Sequence, residues 1–230
     1  MRWIFGYGTA ICIMLIIISQ SIIFPTFFMP FFTWQYNRLG VSETIQVEHD
    51  ELMRVTGELL DYMRGRRDTI EDITAIVAGE ERIFFSYIEV KHMVDVLDLY
   101  NVAFMVRNVA FFIAIAFVLA MILLKHRVLY MLARCSREVM AAFLIISAIV
   151  VGLIALNFDR AFVIFHLIFF NNDYWILDPR VDLLINMVPI YFFIHISIFI
   201  ALLMVISSVA IITAGTLYLR RMPERTLFRS

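Results

Sequence analysis

Four apolar blocks constrain this chain more than any other feature. They fall at residues 3–24, 102–124, 139–156 and 190–217. Crossing a hydrocarbon core roughly 30 Å thick takes about 20 mostly apolar residues. In lipid every backbone polar group must be satisfied internally, so such blocks can only be spanning helices. The composition agrees, with 62% hydrophobic and 17% charged residues, against about 25% charged in a soluble domain. The fold class expected is an all-α integral membrane protein. It has four transmembrane helices, with amphipathic or interfacial helices in two extracytoplasmic segments, and residues 1–230 form a single membrane domain. There is no glycine-rich nucleotide loop, no cysteine-rich metal pattern and no low-complexity segment. Nothing points to a nucleic-acid partner.

The first block follows Arg2 and is succeeded by no small-residue cleavage site, so it reads as a retained helix, not a signal peptide. Bulky Ile11 before Cys12 also excludes a lipid-attachment box. Cys12 lies in that block and Cys135 in what reads as a basic loop, so no structural disulfide between them is expected. Orientation follows from Lys and Arg near the ends of the blocks. Lys125, Arg127, Arg134 and Arg137 join the second and third blocks, and Arg220, Arg221, Arg225 and Arg229 fill the tail. Segment 157–189 offers only Arg160 and Arg180 against Asp159, Asp173, Asp178 and Asp182. Both termini are therefore expected in the cytoplasm, and segments 25–101 and 157–189 outside.

The first outward segment opens with an aromatic run of Phe27, Phe28, Phe31, Phe32 and Trp34, suited to a membrane interface. Residues 44–64 then carry Ile45, Leu52, Val55, Leu59, Leu60 and Met63 at helical spacing, which predicts an amphipathic helix capped by Ser42. A charged turn, RGRRDT, leads to a second, weaker helix. The stretch FFSYIEVKHMVDVLDLY runs into the second span without a Pro or Gly break. In the second outward segment, 161–170 is too short to span and reads as a helix packed at the interface. Asp178-Pro179 reads as an N-cap followed by the first helical position.

Among five histidines, His49 lies in a charged stretch and His126 sits beside Lys125 and Arg127. His195 falls within the fourth span, where it is either a functional group or a hydrogen-bonding residue between helices. Apart from it, the central parts of the spans read as almost uncharged, which argues against a transporter. His92 and His166 stand apart, because both lie on outward segments with carboxylates close in sequence. Imidazoles titrate near pH 6.5 and exchange protons at neutral pH. A carboxylate such as Glu89 or Asp95 would fix a tautomer and stabilise an imidazolium. No serine or cysteine is obviously paired with either histidine. That points to direct proton transfer on a substrate carrying its own nucleophile. The alternative is a metal held by His92, Asp95, His166 and Asp173, although the spacing matches no established ligand motif.

The motifs YIEVKHMVDV and HLIFFNNDYWILDPRVDLLINMVP, with four spans, resemble the lipoprotein intramolecular transacylase family, Lit, of Gram-positive bacteria, over essentially the whole chain. The resemblance implies an acyltransferase of the cell membrane. Its substrates are diacylglyceryl-modified lipoproteins among membrane phospholipid, and it needs no cofactor and no metal. One acyl chain would move from glycerol to the α-amine of the N-terminal cysteine, giving the lyso-form. The family's two motif histidines fall on His92 and His166. The first is assigned as base, backed by Asp95 or Glu89, and the second as acid. Asn171, Asn172, Asp173, Trp175 and Asp178 are the candidates for substrate or oxyanion contacts, with Asp178 the more natural helix cap. Two rivals remain: a metal-dependent membrane hydrolase acting on a lipid or peptide, and a non-enzymatic membrane adaptor. The sequence leaves the oligomeric state open.

Overall fold

The computed structural model describes residues 2–222; tail residues Arg225 and Arg229 lie outside them. The described chain is all helical but for one hairpin: α1 Arg2–Thr26, α2 Met29–Leu39, α3 Val41–Ile45, α4 His49–Met63, β1 Thr74–Val77, β2 Glu80–Ile83, α5 Tyr87–Leu123, α6 Val128–Leu156, α7 Phe158–Phe169, α8 Leu184–Met187 and α9 Ile190–Arg220. Helices α1, α5, α6 and α9 are long and apolar enough to cross a membrane. The chain divides into two compact units. One comprises the described residues of 1–22, 103–156 and 199–220, with the short stretch after α9, and the other comprises 23–102 and 157–198.

The first unit holds the apolar bodies of the four long helices. Close approach between them depends on small residues, as expected where lipid removes the hydrophobic drive to associate. A Cβ on Gly215 would lie 2.7 Å from the carbonyl oxygen of Ala133, and one on Gly8 2.3 Å from the ring of Phe117. The basic stretch expected as a loop is instead helical. Helix α6 begins at Val128 and buries Met131, Cys135, Ser136 and Met140 along one side. Its charged side chains border that stripe, where Arg134 reaches Glu138 and Tyr130 and lies over the Trp3 ring. Charge density had suggested a loop there, whereas helical periodicity governs. Both cysteines are buried free thiols.

The second unit has its own core. Helix α4 buries Leu52, Val55, Leu59, Leu60 and Met63, each worth roughly 1.5–3 kcal/mol on leaving water. The hydroxyls of Tyr36 on α2 and Thr56 on α4 hydrogen-bond at 2.9 Å within that core. The apolar stripe of α4 therefore packs against protein. Ser42 does not cap it. Ser42 lies inside α3, which Gly40 separates from α2 by a left-handed turn (φ 60°), and α4 is preceded by Glu48. Where a second weak helix was expected, strands β1 and β2 pair antiparallel with Val77 opposite Glu80. Ala78 and Gly79, at φ 54° and 86°, make the two-residue turn. Such a turn matches the strand twist when both central residues adopt positive φ. Ile73, Ala75 and Val77 alternate inward and hold the hairpin on the core.

Helix α5 is continuous from Tyr87, so the segment bearing His92 joins the second span without a break. Helix α7 starts from Asn157, whose side chain accepts from the Arg160 N–H at 2.9 Å. Asp178 caps a turn, not a helix. Its carboxylate accepts from the Arg180 N–H at 3.0 Å, and the next helix begins only at Leu184.

Candidate active site

Helix α7 carries His166 and the first turns of α5 carry His92, and the two rings lie 6.0 Å apart between centroids. His166 is 6% exposed. It is walled by Phe162 at 4.2 Å, Trp175 at 4.8 Å and Phe165 and Phe170 at 5.4 Å each. Phe170 also stands edge-on to His92 at 5.3 Å. The phenylalanines around His166 thus form the walls of a shared two-histidine site.

The polar contacts of the two rings differ. His166 Nδ1 lies 2.7 Å from the carbonyl oxygen of Phe162, one helical turn back. A carbonyl only accepts, so Nδ1 carries the proton and the neutral ring presents a bare Nε2. Burial disfavours the charged imidazolium and lowers the pKa of His166 below the ordinary 6.5, while the Phe162 carbonyl opposes part of that shift. The Nδ1 of His92 is buried with no hydrogen-bond partner. Among the described residues neither ring is paired with a hydroxyl or thiol.

The carboxylates near His92 are engaged elsewhere. Asp95 accepts from the side-chain amide of Asn172 at 2.9 Å, and Asn172 Oδ1 accepts from the Tyr174 N–H at 3.0 Å. Asn172 therefore ties the 171–175 turn, with Trp175, to α5. Glu89 is 1% exposed and accepts two backbone N–H groups, from Ser86 and Leu184, each at 2.5 Å. Ser86 Oγ donates to the buried Asp182 at 2.8 Å, and Asp182 accepts the Asp178 N–H at 2.8 Å. Glu89 and Asp182 thus fasten the 178–184 segment to the start of α5, and Glu89 does not touch His92. Asn171 and Asp173 are exposed. Asp178 is paired with Arg180 at 2.6 Å. Among the described residues no three His, Cys, Asp or Glu side chains gather as metal ligands.

His195 hydrogen-bonds through Nδ1 to Gln35 at 2.9 Å, beside the Trp34 ring, as a polar link between α9 and α2. His126 packs near Phe5 at 6.5 Å. Sequence reasoning passed over Ser86, Asp182 and the Phe162 carbonyl. Only the last was foreshadowed, by helical spacing from His166. It also passed over Arg107, a charge inside the second apolar block that hydropathy alone would have flagged.

Compared with known families, the chain matches Lit, the lipoprotein intramolecular transacylases, over residues 7–193. A structure of the membrane integral lipoprotein intramolecular transacylase Lit from Bacillus cereus is similar, with a TM-score of 0.79 and 20% identity, covering 96% of this chain and 97% of that one. Two variants of that protein, with one histidine replaced by arginine or by alanine, have TM-scores of 0.72 and again 20% identity. They cover 96% of this chain and 93% and 94% of theirs. No curated protein gives a match.

Proposed function

Because the chain belongs to the lipoprotein intramolecular transacylase family, we propose that it moves one acyl chain of a diacylglyceryl-modified lipoprotein from glycerol to the α-amine of the N-terminal cysteine, leaving the lyso-form. The pairing of the His92 and His166 rings at 6.0 Å, with no hydroxyl or thiol hydrogen-bonded to either among the described residues, carries this reading. Nucleophile and ester belong to one substrate molecule, so proximity is largely built in and no acyl-enzyme is needed. Exchanging an ester for an amide runs downhill and calls for no nucleotide.

The hydrogen bond from His166 Nδ1 to the Phe162 carbonyl favours His166 as the base and His92 as the acid, the opposite of the assignment made from sequence. The bare Nε2 of His166 takes the proton from the amine as nitrogen attacks the ester carbonyl, and the Phe162 carbonyl steadies the imidazolium through Nδ1–H. His92 then relays. One ring nitrogen accepts the proton from His166 Nε2–H while the other donates to the departing glycerol oxygen. One C–N bond forms, one C–O bond breaks, and one proton passes from nitrogen to oxygen; His166 returns to its starting tautomer, and His92 ends neutral in its other tautomer, which re-equilibrates through water before the next turnover. Trp175, half-buried beside His166, supplies its indole N–H to the developing oxyanion. Asn172 acts by holding that turn.

We place the protein in the cytoplasmic membrane as a single multi-pass domain, with both termini inside and the histidines at the extracytoplasmic face. The basic residues of α6 and the tail support that orientation. A diacylglyceryl-cysteinyl peptide with an acetylated amine tests the reading. It has no nucleophile, so the enzyme should leave it intact. Release of free fatty acid from it would show that water, not the amine, is the acceptor.

A further inference from the structure

The described chain holds one arginine in the apolar run of α5, and its surroundings call for an anion. Arg107 lies about five residues inside the second apolar block, on the order of 8 Å from where the block begins. Its guanidinium contacts neutral acceptors only. These are Asn108 Oδ1 at 3.1 Å through Nε and Nη2, and Gln20 Oε1 of α1 at 3.4 Å through Nη1. The Phe104 ring lies beneath it at 5.3 Å. Among the described residues no carboxylate pairs with it. Arg107 is half-exposed and Asn108 and Gln20 are exposed. Around them the surface is apolar, with Met105, Val109, Phe111 and Phe112 all outward.

We propose that Arg107, flanked by Gln20 and Asn108, binds the phosphodiester of one phospholipid in the leaflet where α5 enters the membrane. A lone guanidinium facing hydrocarbon is costly unless it finds an anion or water. Side chains on a helix lean toward its N-terminus, so Arg107 reaches toward the near interface. The headgroup phosphates supply the anion there, and a planar fork binds phosphate in bidentate fashion. The lipoprotein substrate does not fit this need, because its glyceryl esters and thioether are neutral and its amine is cationic. Gln20 and Asn108 hold the fork in place and donate through their own amide groups to the phosphate oxygens.

Native mass spectrometry of the full chain, delipidated and then titrated with phosphatidylglycerol or with diacylglycerol of the same chains, tests this. The native protein should retain one phosphatidylglycerol at roughly tenfold lower concentration than diacylglycerol. Arg107→Gln should abolish the preference, and Arg107→Lys, a point charge without the fork, should keep part of it. Equal retention of the two lipids by the native chain overturns the proposal, and needs no variant. Unchanged preference in Arg107→Gln also overturns it. So does a native dimer that Arg107→Gln dissolves, which would make a second copy the occupant.

Discussion

Asn172 offers the sharpest test of how this site is built, because its two possible roles differ in arithmetic. Its amide donates to Asp95 at 2.9 Å and its carbonyl accepts from the Tyr174 backbone, which uses both ends of the side chain. A hydrogen bond to a charged group contributes about 1.5–3 kcal/mol. Asn172 and Asp95 are both only half-buried, so the lower end applies. With each 1.36 kcal/mol worth a factor of ten, Asn172→Ala should slow transacylation roughly tenfold, and Asp95→Ala by a similar factor. If Asn172 works only through Asp95, the double variant is no slower than either single one. A direct oxyanion donor would behave otherwise, since its removal costs ~10²–10³ whatever its neighbours do. The assay is a double-mutant cycle on initial rates with a diacylglyceryl-cysteinyl peptide. Multiplying effects, with a hundredfold or greater loss for Asn172→Ala in both backgrounds, would refute the tether and make Asn172 a group that touches substrate.

Three further outcomes follow from the geometry. Burial keeps His166 neutral below its ordinary 6.5, so an NMR titration of its ring should give a midpoint under 6.5. The base-competent form then persists into mild acid and disappears only as pH falls through that lowered midpoint; a midpoint at or above 6.5 contradicts the site as described. Glu89→Gln places an amide NH₂ against one of two backbone N–H groups and leaves a buried donor unmatched, which costs about 1–3 kcal/mol; the thermal unfolding midpoint should fall, and an unchanged midpoint would mean the Ser86 and Leu184 contacts carry no weight. Gly215→Val drives a Cβ to within 2.7 Å of the Ala133 carbonyl, an overpacking worth about 1–3 kcal/mol, so it too should lower the unfolding midpoint.

Length and hydropathy made the four spans legible in the sequence, and the unbroken run through His92 foretold that one helix would continue from it into the second span. The pairing of His92 with His166 was legible as a shared chemistry of two segments expected on the same side. It was not legible as a distance. The hairpin was missed although Ile73, Ala75 and Val77 alternate, because four-residue strands give little periodicity and the Ala78-Gly79 turn lacks the usual Asn or Asp. Cys135 was assigned to a loop because positive charges mask the buried stripe of α6. Glu89 and Asp95 were legible as neighbours of His92 by helical spacing alone. The hydrogen bonds they also take from Leu184 and Asn172 come from a segment remote in sequence, and no local pattern encodes those contacts.

One measurement bears most directly on the central claim. Purified native protein is mixed with a synthetic diacylglyceryl-cysteinyl peptide, and intact and fragment masses are compared with those from His92→Ala and His166→Ala. Transacylation is an isomerisation, so the account predicts an unchanged intact mass with one acyl group moved onto the N-terminal amine, by the native chain and by neither variant. Loss of one fatty acid from the intact peptide, or an acyl shift that survives both substitutions, would contradict it.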